Sequence, residues 1–448
     1  MSNASVSMMF FLETAVILLA CRVAGLAARR IGQPEAVGQM VAGIVLGPSL
    51  LGAAFPGAQA WLFPEDARRV IYVVAQLGLA LYMFLVGVEF RVDLFRAKIK
   101  TAGAIAGAGM VVPFAVGMMI AGWLHGRGGM FGESVGLAQG MVFLGAAMSI
   151  TAFPMMARII AERGLSTSGI GTLLLAAGAI DDALAWCTLA VLPGLMGGGW
   201  WPAGLAVGGG VVFVAAAWLV MRPLMRQVAR RGNGGSAGGW PVPAHTLSLV
   251  LVMVAAACWF TDFVGVYAVF GAFVLGVVVP RGWLSEGLLK TLTPVVTVLL
   301  LPMYFVNSGL NTRLTLLNSW ALWGVTAVVI VGACAGKVLA CAGAARLSGE
   351  GPRRSLAIGA MMNARGLMEL LILNIGLERG LITPTLFTVG VLMAVVTTLV
   401  ATPLFDAFYR GPGSRGGEGS GEESGDRLVE VPLRAGRVRR DEYARMGH

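Results

Sequence analysis

Charge is what this sequence has least of. Asp, Glu, Lys and Arg make up 12% of its 448 residues, apolar types make up 57%, and the mean hydropathy is +0.80. A soluble domain carries about 25% charged residues. A water-borne fold of this length would lack the polar surface to cover itself, so hydrocarbon lipid is the solvent that fits most of the chain. Histidine is nearly missing, and His125, His245 and His448 are too scattered to suggest a metal site. Cysteine is sparse as well. Cys21, Cys187, Cys258, Cys334 and Cys341 all stand in apolar segments without paired spacing, which argues against a disulfide framework. The first seven residues lack a basic stretch, and the first apolar run, about 8–28, is long enough to span and is followed by Arg29 and Arg30. A cleavable leader is therefore not expected. No nucleophile–base constellation or metal-ligand cluster appears, so neither an enzyme nor a bound cofactor is expected.

The charge that is present is placed. The net charge of +10 and pI of 9.9 would suit nucleic acid. The basic residues, however, sit in loops between apolar runs, where they set topology, so the bilayer is the expected partner and nucleic acid is not.

A helix needs about 20 apolar residues to cross a bilayer. Thirteen candidate spans are centred near Leu18, Ile44, Leu79, Val112, Met148, Ile180, Val212, Val252, Phe273, Val298, Ile330, Leu370 and Val391, the ninth being short. The loops up to Arg379 alternate between a set with sixteen Lys/Arg and a set with five: Arg68, Arg69, Arg127, Arg313 and Arg379. The rich side is expected to face the cytoplasm, with the N-terminus outside and the C-terminus inside a bacterial-type plasma membrane. The tail 409–448 is Gly-rich with mixed charge, too polar to pack a core, and is expected to be disordered with no soluble domain following the membrane part.

A weak internal repeat is visible. Leu81, Met83, Val86 and Leu94 at the end of the third span align without gaps on Leu301, Met303, Val306 and Leu314 at the end of the tenth. The second and ninth spans share Val-Leu-Gly, at 45–47 and 274–276. Chance similarity between apolar helices is the alternative. An offset of seven spans is odd, so the second copy must be inverted, a common build for secondary transporters whose sites lie at interrupted helices near the midplane.

Ionisable groups at mid-bilayer each cost about 2.5–3.5 kcal/mol on insertion scales and are usually functional. Five stand deep here: Asp181, Asp182, Lys337, Arg365 and Glu369. Adjacent helical residues point about 100° apart. One aspartate can thus face a cationic side chain while its neighbour faces a water-filled cavity. Two close carboxylates titrate as a coupled pair, and a site that holds a proton or a small cation with little bias is the physical basis of antiport. The alternative is a carboxylate that merely ties helices together through a lysine. Lys337, among small residues in VGACAGKVLACAG, has one of the two aspartates as its expected partner, for charge compensation or for plain pairing. In the fifth span Pro154 removes a backbone donor just after Thr151. In the twelfth, its repeat partner, Asn363, Arg365 and Gly366 interrupt the apolar run. Glu369, at i,i+4 from Arg365, is expected to pair with it. Glu13, Arg22, Glu89, Arg158 and Asp262 lie nearer helix ends, where snorkelling or boundary placement accounts for them.

At these residues the chain resembles the monovalent cation/proton antiporters, in the branch holding bacterial sodium/proton antiporters and plant cation/proton exchangers. The matching segments are 38–52 (GQMVAGIVLGPSLLG), 149–165 (SITAFPMMARIIAERGL), the Asp181–Asp182 pair, 261–280 (TDFVGVYAVFGAFVLGVVVP), 302–310 (PMYFVNSGL), Lys337 and 362–376 (MNARGLMELLILNIG). They cover nearly the whole membrane part. The resemblance implies an all-α polytopic membrane protein of about 13 transmembrane helices, an inverted repeat with two crossed discontinuous helices. It divides residues 1–408 into scaffold helices, about 8–95 and 244–310, and transport-core helices, about 101–194 and 320–408, with the seventh span as linker and a homodimer through the scaffold. By this likeness Asp182 binds the cation, Asp181 pairs with Lys337, Thr151 and Asn363 lie at the two breaks, and Asp182, Asp181 and Thr151 make up the ion- and proton-binding set. Two features depart from the pattern: Tyr267 stands where many relatives carry His, and no nucleotide-binding domain like that of the glutathione-gated potassium-efflux relatives is recognisable. Asp181 before the essential carboxylate points to the sodium/proton-like subgroup, while SITAFP and NARGLMELL are similar to potassium-handling exchangers, so the substrates are H⁺ with Na⁺ or K⁺. The readings weighed are such an antiporter, a cation efflux channel uncoupled from protons, and a small-solute symporter of related architecture. The aspartates with Lys337 suit small cations better than an organic anion.

Overall fold

The computed structural model describes residues 3–90, 99–165, 168–195, 200–231 and 242–409. The expected disordered tail falls outside the described residues, apart from Tyr409. Among the described residues the regular structure is helical, apart from one isolated antiparallel bridge between Phe131 and Ile382. The helices are α1 (Asn3–Arg30), α2 (Glu35–Leu46), α3 (Glu65–Glu89), α4 (Ile99–His125), α5 (Leu137–Ser149), α6 (Phe153–Glu162), α7 (Gly169–Leu195), α8 (Trp200–Ala216), α9 (Ala244–Phe263), α10 (Ala268–Val278), α11 (Trp283–Val295), α12 (Leu301–Leu310), α13 (Trp320–Leu347), α14 (Pro352–Met362), α15 (Leu367–Glu378) and α16 (Pro384–Tyr409). Short helices at Leu51–Ala54 and Pro56–Leu62 join α2 to α3.

Each of the thirteen expected centres falls in a helical segment. Among the described residues nine helical segments are long and apolar enough to cross a membrane, by length and composition. Two of these contain a wide π turn. One, Ala217–Met221, follows α8 and leads into the helix Arg222–Arg231. The other, Val296–Leu300, joins α11 to α12 just before Pro302, whose missing N–H and bulky ring disrupt the regular ladder. In α1, Met8, Phe11, Leu19 and Val23 turn outward, as lipid-facing side chains do. α10 is only 11 residues long, and Tyr267 at its N-terminal end has φ 68, the one positive φ at a non-glycine residue among those described.

Several helix pairs among the described residues approach until backbone touches backbone at a glycine, and two of them are related to each other. A Cβ at Gly276 of α10 would lie 2.2 Å from Phe84 O of α3, and one at Gly87 would lie 2.2 Å from Phe273 O. A Cβ at Gly309 of α12 would lie 2.1 Å from Gly43 C of α2, and one at Gly47 would lie 2.5 Å from Gly309 O. Only glycine permits this spacing. The third span therefore packs on the ninth and the tenth on the second. Exchanging repeat partners turns one pair into the other, as an inverted repeat of offset seven requires.

One boundary assignment fails. Glu13 is not a snorkelling residue at a helix end. It lies well inside α1, is 0% exposed, and neither carboxylate oxygen has a partner among the described residues. Arg22 does reach outward, where it pairs with Glu35 at 3.5 Å. The position of a charge along a sequence does not say whether the helix turns it toward solvent or a neighbour.

Candidate functional site: the ionic centre between two helix breaks

α5 ends at Ser149, the chain runs extended from Ile150 to Ala152, and α6 begins at Phe153. Pro154 sits in the first turn of α6, where its missing N–H leaves no helical bond unmade. α14 ends at Met362 and α15 begins at Leu367, with Asn363–Gly366 between them. The two breaks touch. Ala152 N donates to Ala364 O at 3.1 Å, and Thr151 Oγ1 donates to Met362 O at 3.2 Å. Two interrupted helices thus satisfy part of each other's freed backbone, which lipid could not do.

The midpoint of α7 brings two carboxylates to this junction. Asp181 is 1% exposed and fully engaged. Its Oδ2 accepts from Thr151 N at 2.9 Å, and its two oxygens lie 3.2 and 3.3 Å from Lys337 Nζ. Lys337, equally buried, also donates to Ser149 O at 2.5 Å. Asp182 is 0% exposed, and neither of its oxygens has a partner among the described residues. Consecutive residues of one helix thus stand in opposite electrostatic settings. A buried, unpaired carboxylate is strongly penalised as a bare charge. It is stable there only when a proton or a cation neutralises it.

The second break carries its own ion pair. Arg365 and Glu369 are both buried, and Nη1 donates to Glu369 Oε2 at 2.5 Å. Arg365 Nη1 also donates to Ala147 O at 3.1 Å and Nη2 to Met148 O at 2.6 Å. The Arg365 amide donates to Thr398 Oγ1 at 2.9 Å, and that hydroxyl lies 2.8 Å from Arg365 O. Asn363 turns toward α13 and α16, donating to Cys334 Sγ at 3.3 Å and to Thr397 O at 3.5 Å, while its Oδ1 has no partner among the described residues.

The structure therefore gathers Thr151, Asp181, Asp182, Lys337, Asn363, Arg365 and Glu369 at or beside the two breaks. Of Pro154 the backbone alone is described. Sequence reasoning missed Ser149, whose carbonyl holds Lys337, and Thr398, which braces the second break. The adjacent Thr397 and Thr398, in the middle of the last span, were the available signal for the latter. Among the described residues no group of three or more His, Cys, Asp or Glu could hold a resident metal ion.

Comparison with known proteins places this centre in context. The family model for the transmembrane sodium/hydrogen exchanger matches residues 15–410. The chain belongs to the sodium/hydrogen exchanger family. This family is one of membrane transporters. The chain is similar to the Na(+)/H(+) antiporter NhaS4 of Synechocystis, 35% identical over 402 residues that make up 89% of this chain and 96% of that protein. It is also similar to the Cation/H(+) antiporter 17 of Arabidopsis thaliana, 37% identical over 405 residues, 90% of this chain and 48% of the relative. The chain thus spans about half the length of that plant relative. Among solved structures it shares the fold of the sodium proton antiporter MjNhaP1 from Methanocaldococcus jannaschii, with a TM-score of 0.65, 14% identity, and coverage of 92% of this chain and 97% of that one.

Proposed function

We propose that this exchanger-family protein passes a monovalent cation, Na⁺ or K⁺, across the membrane in exchange for protons by alternating access. The observation that carries the reading is the contrast within one dipeptide: Asp181 is fully paired, while Asp182 is equally buried and has open oxygens. Asp182 is the group that takes H⁺ and the cation in turn. Asp181 keeps Lys337 neutralised, so that only one carboxylate exchanges its counter-charge. Thr151 and Asn363 sit where the breaks expose polar backbone to the same centre. The names of the relatives support exchange of Na⁺ or another cation for H⁺.

In this reading the helices of about 101–194 and 320–408, which carry both breaks and the charges around them, form the transport core. They move against a scaffold of about 8–95 and 244–310, through which two copies pair. The N-terminus lies outside a bacterial-type plasma membrane and the C-terminus in the cytoplasm. The test is a proteoliposome assay with a pH-reporting dye, titrated with Na⁺, K⁺ and Li⁺. Exchange is expected as cation-dependent proton movement, and Asp182→Asn is expected to abolish it while the protein still inserts. Cation flux without counter-moving protons would make the protein a channel, and normal exchange by Asp182→Asn would reject the assignment.

A further inference from the structure

α5 ends inside the protein, so its last carbonyls have no following turn to accept from and no water to turn to. Three of them in succession are met by cationic donors. Arg365 Nη1 reaches Ala147 O at 3.1 Å, Arg365 Nη2 reaches Met148 O at 2.6 Å, and Lys337 Nζ reaches Ser149 O at 2.5 Å. The negative end of the α5 dipole is thus shared between two positive side chains. Lys337 is in turn shared between that helix end and Asp181, whose oxygens are 3.2 and 3.3 Å away. The more strongly the end of α5 attracts Lys337, the less of that charge is left for Asp181.

We infer that Arg365 is a positioning residue for the Lys337–Asp181 pair, acting through the carbonyls at the end of α5. Its planar fork spans two successive carbonyls at once, and Glu369 Oε2 fixes the fork from the other side. By neutralising Ala147 O and Met148 O, Arg365 limits the pull of the helix end on Lys337 to a single carbonyl. The titratable or charged groups around Lys337 are Asp181, backed by Asp182, from α7, Arg365 and Glu369 from the second break, and Cys341 on its own helix. α4 and α5 present it with Gly109 and the Ser149 carbonyl. Arg365 is thus the one cation in this set, other than Lys337 itself, that can share the load of the helix end.

The kinetic part of this inference rests on the proposed exchange at Asp182. A lysine at 365 is a point charge that cannot hold both carbonyls. Lys337 is then drawn toward α5, Asp181 loses part of its counter-charge, and Asp182 sits in a more negative field. In full-length protein in proteoliposomes, Arg365→Lys is expected to change the half-saturating Na⁺ or K⁺ concentration at fixed pH by at least about fivefold, with the maximal rate within about twofold of wild type. The pH of half-maximal exchange is expected to move to the alkaline side. Glu369→Gln, which frees the fork but leaves its charge, is expected to shift both in the same direction by less. A second readout does not need transport. Hydrogen–deuterium exchange of detergent-solubilised protein is expected to run about tenfold faster at residues 150–152 in Arg365→Lys, because Thr151 N is bonded to Asp181. Wild-type half-saturation and pH profile in both variants, or a loss of maximal rate alone, would overturn the inference whatever the amides do. If the wild-type protein shows no cation/proton exchange, the functional reading fails, and unchanged amide exchange in Arg365→Lys then overturns the positioning role by itself.

Discussion

The two helix breaks are made from the same kind of interruption and are stabilised in different ways. The break at 150–152 depends on partners far away in sequence, with Asp181 holding the Thr151 amide and Lys337 holding the Ser149 carbonyl. The break at 363–366 has one local prop, the i,i+4 ion pair between Arg365 and Glu369, beside a Thr398 hydroxyl that serves both the amide and the carbonyl of Arg365 and the α5 carbonyls that Arg365 itself reaches. The difference assigns them different work. A break held by a carboxylate and an ammonium responds to any change in nearby charge. One whose charges are matched one to one, Arg365 with Glu369, responds less. Asp182, the buried carboxylate with no partner among the described residues, stands beside the first.

Substitutions can break this contrast or sharpen it. The largest effect is expected from Lys337→Met, which leaves Asp181 buried and unpaired. Losing one partner of a buried ion pair costs about 3–5 kcal/mol, to be read as a fall in the unfolding midpoint in detergent. The double variant Lys337→Met with Asp181→Asn is expected to recover most of that loss, and no recovery would mean that the two residues do not act as a pair. Next is Thr398→Val, which removes the hydroxyl bracing the second break and leaves the buried Arg365 amide without its acceptor. It is expected to cost about 1–3 kcal/mol with little change in the cation dependence of exchange, whereas a large change would place the second break in the exchanging centre too. Thr151→Val deletes a single bond, to Met362 O, and is expected to cost about 1 kcal/mol. A similarly small effect is expected from Gly366→Ala. Gly366 has φ 176, ordinary extended backbone, and a new Cβ would meet Ala152 Cβ at 3.3 Å and Met155 Cε at 3.5 Å. Met155 is in ordinary contact, and Ala152 need shift by only a few tenths of an ångström, so a loss of about 1 kcal/mol is expected, and a much larger one would show that the junction tolerates no widening.

Much of this was legible in the sequence, for physical reasons. Apolar runs had to be helices because lipid leaves the backbone no other partner, and charges inside them had to be exceptional. Pro154 and the cluster Asn363, Arg365, Gly366 marked the interruptions. The break before Pro154 falls at 150–152, on the N-terminal side of the proline, where a first-turn proline belongs. What could not be read were contacts made by the backbone itself. Ala147 O, Met148 O and Ser149 O carry no sequence signature, yet they decide where Arg365 and Lys337 reach. Arg365 was expected to be used up by Glu369, because spacing along one helix shows the local partner and hides the distant one. Glu13 failed for the complementary reason: its burial depends on which helices surround α1.

The glycine contacts of α3 with α10 and of α2 with α12 have a mechanical meaning. Where peptide units meet with no side chains between them, there are no rotamers to reshuffle, and one rod cannot creep past the other without steric collision. At these points the two backbones are in direct contact, so any relative sliding of the helices must first separate them.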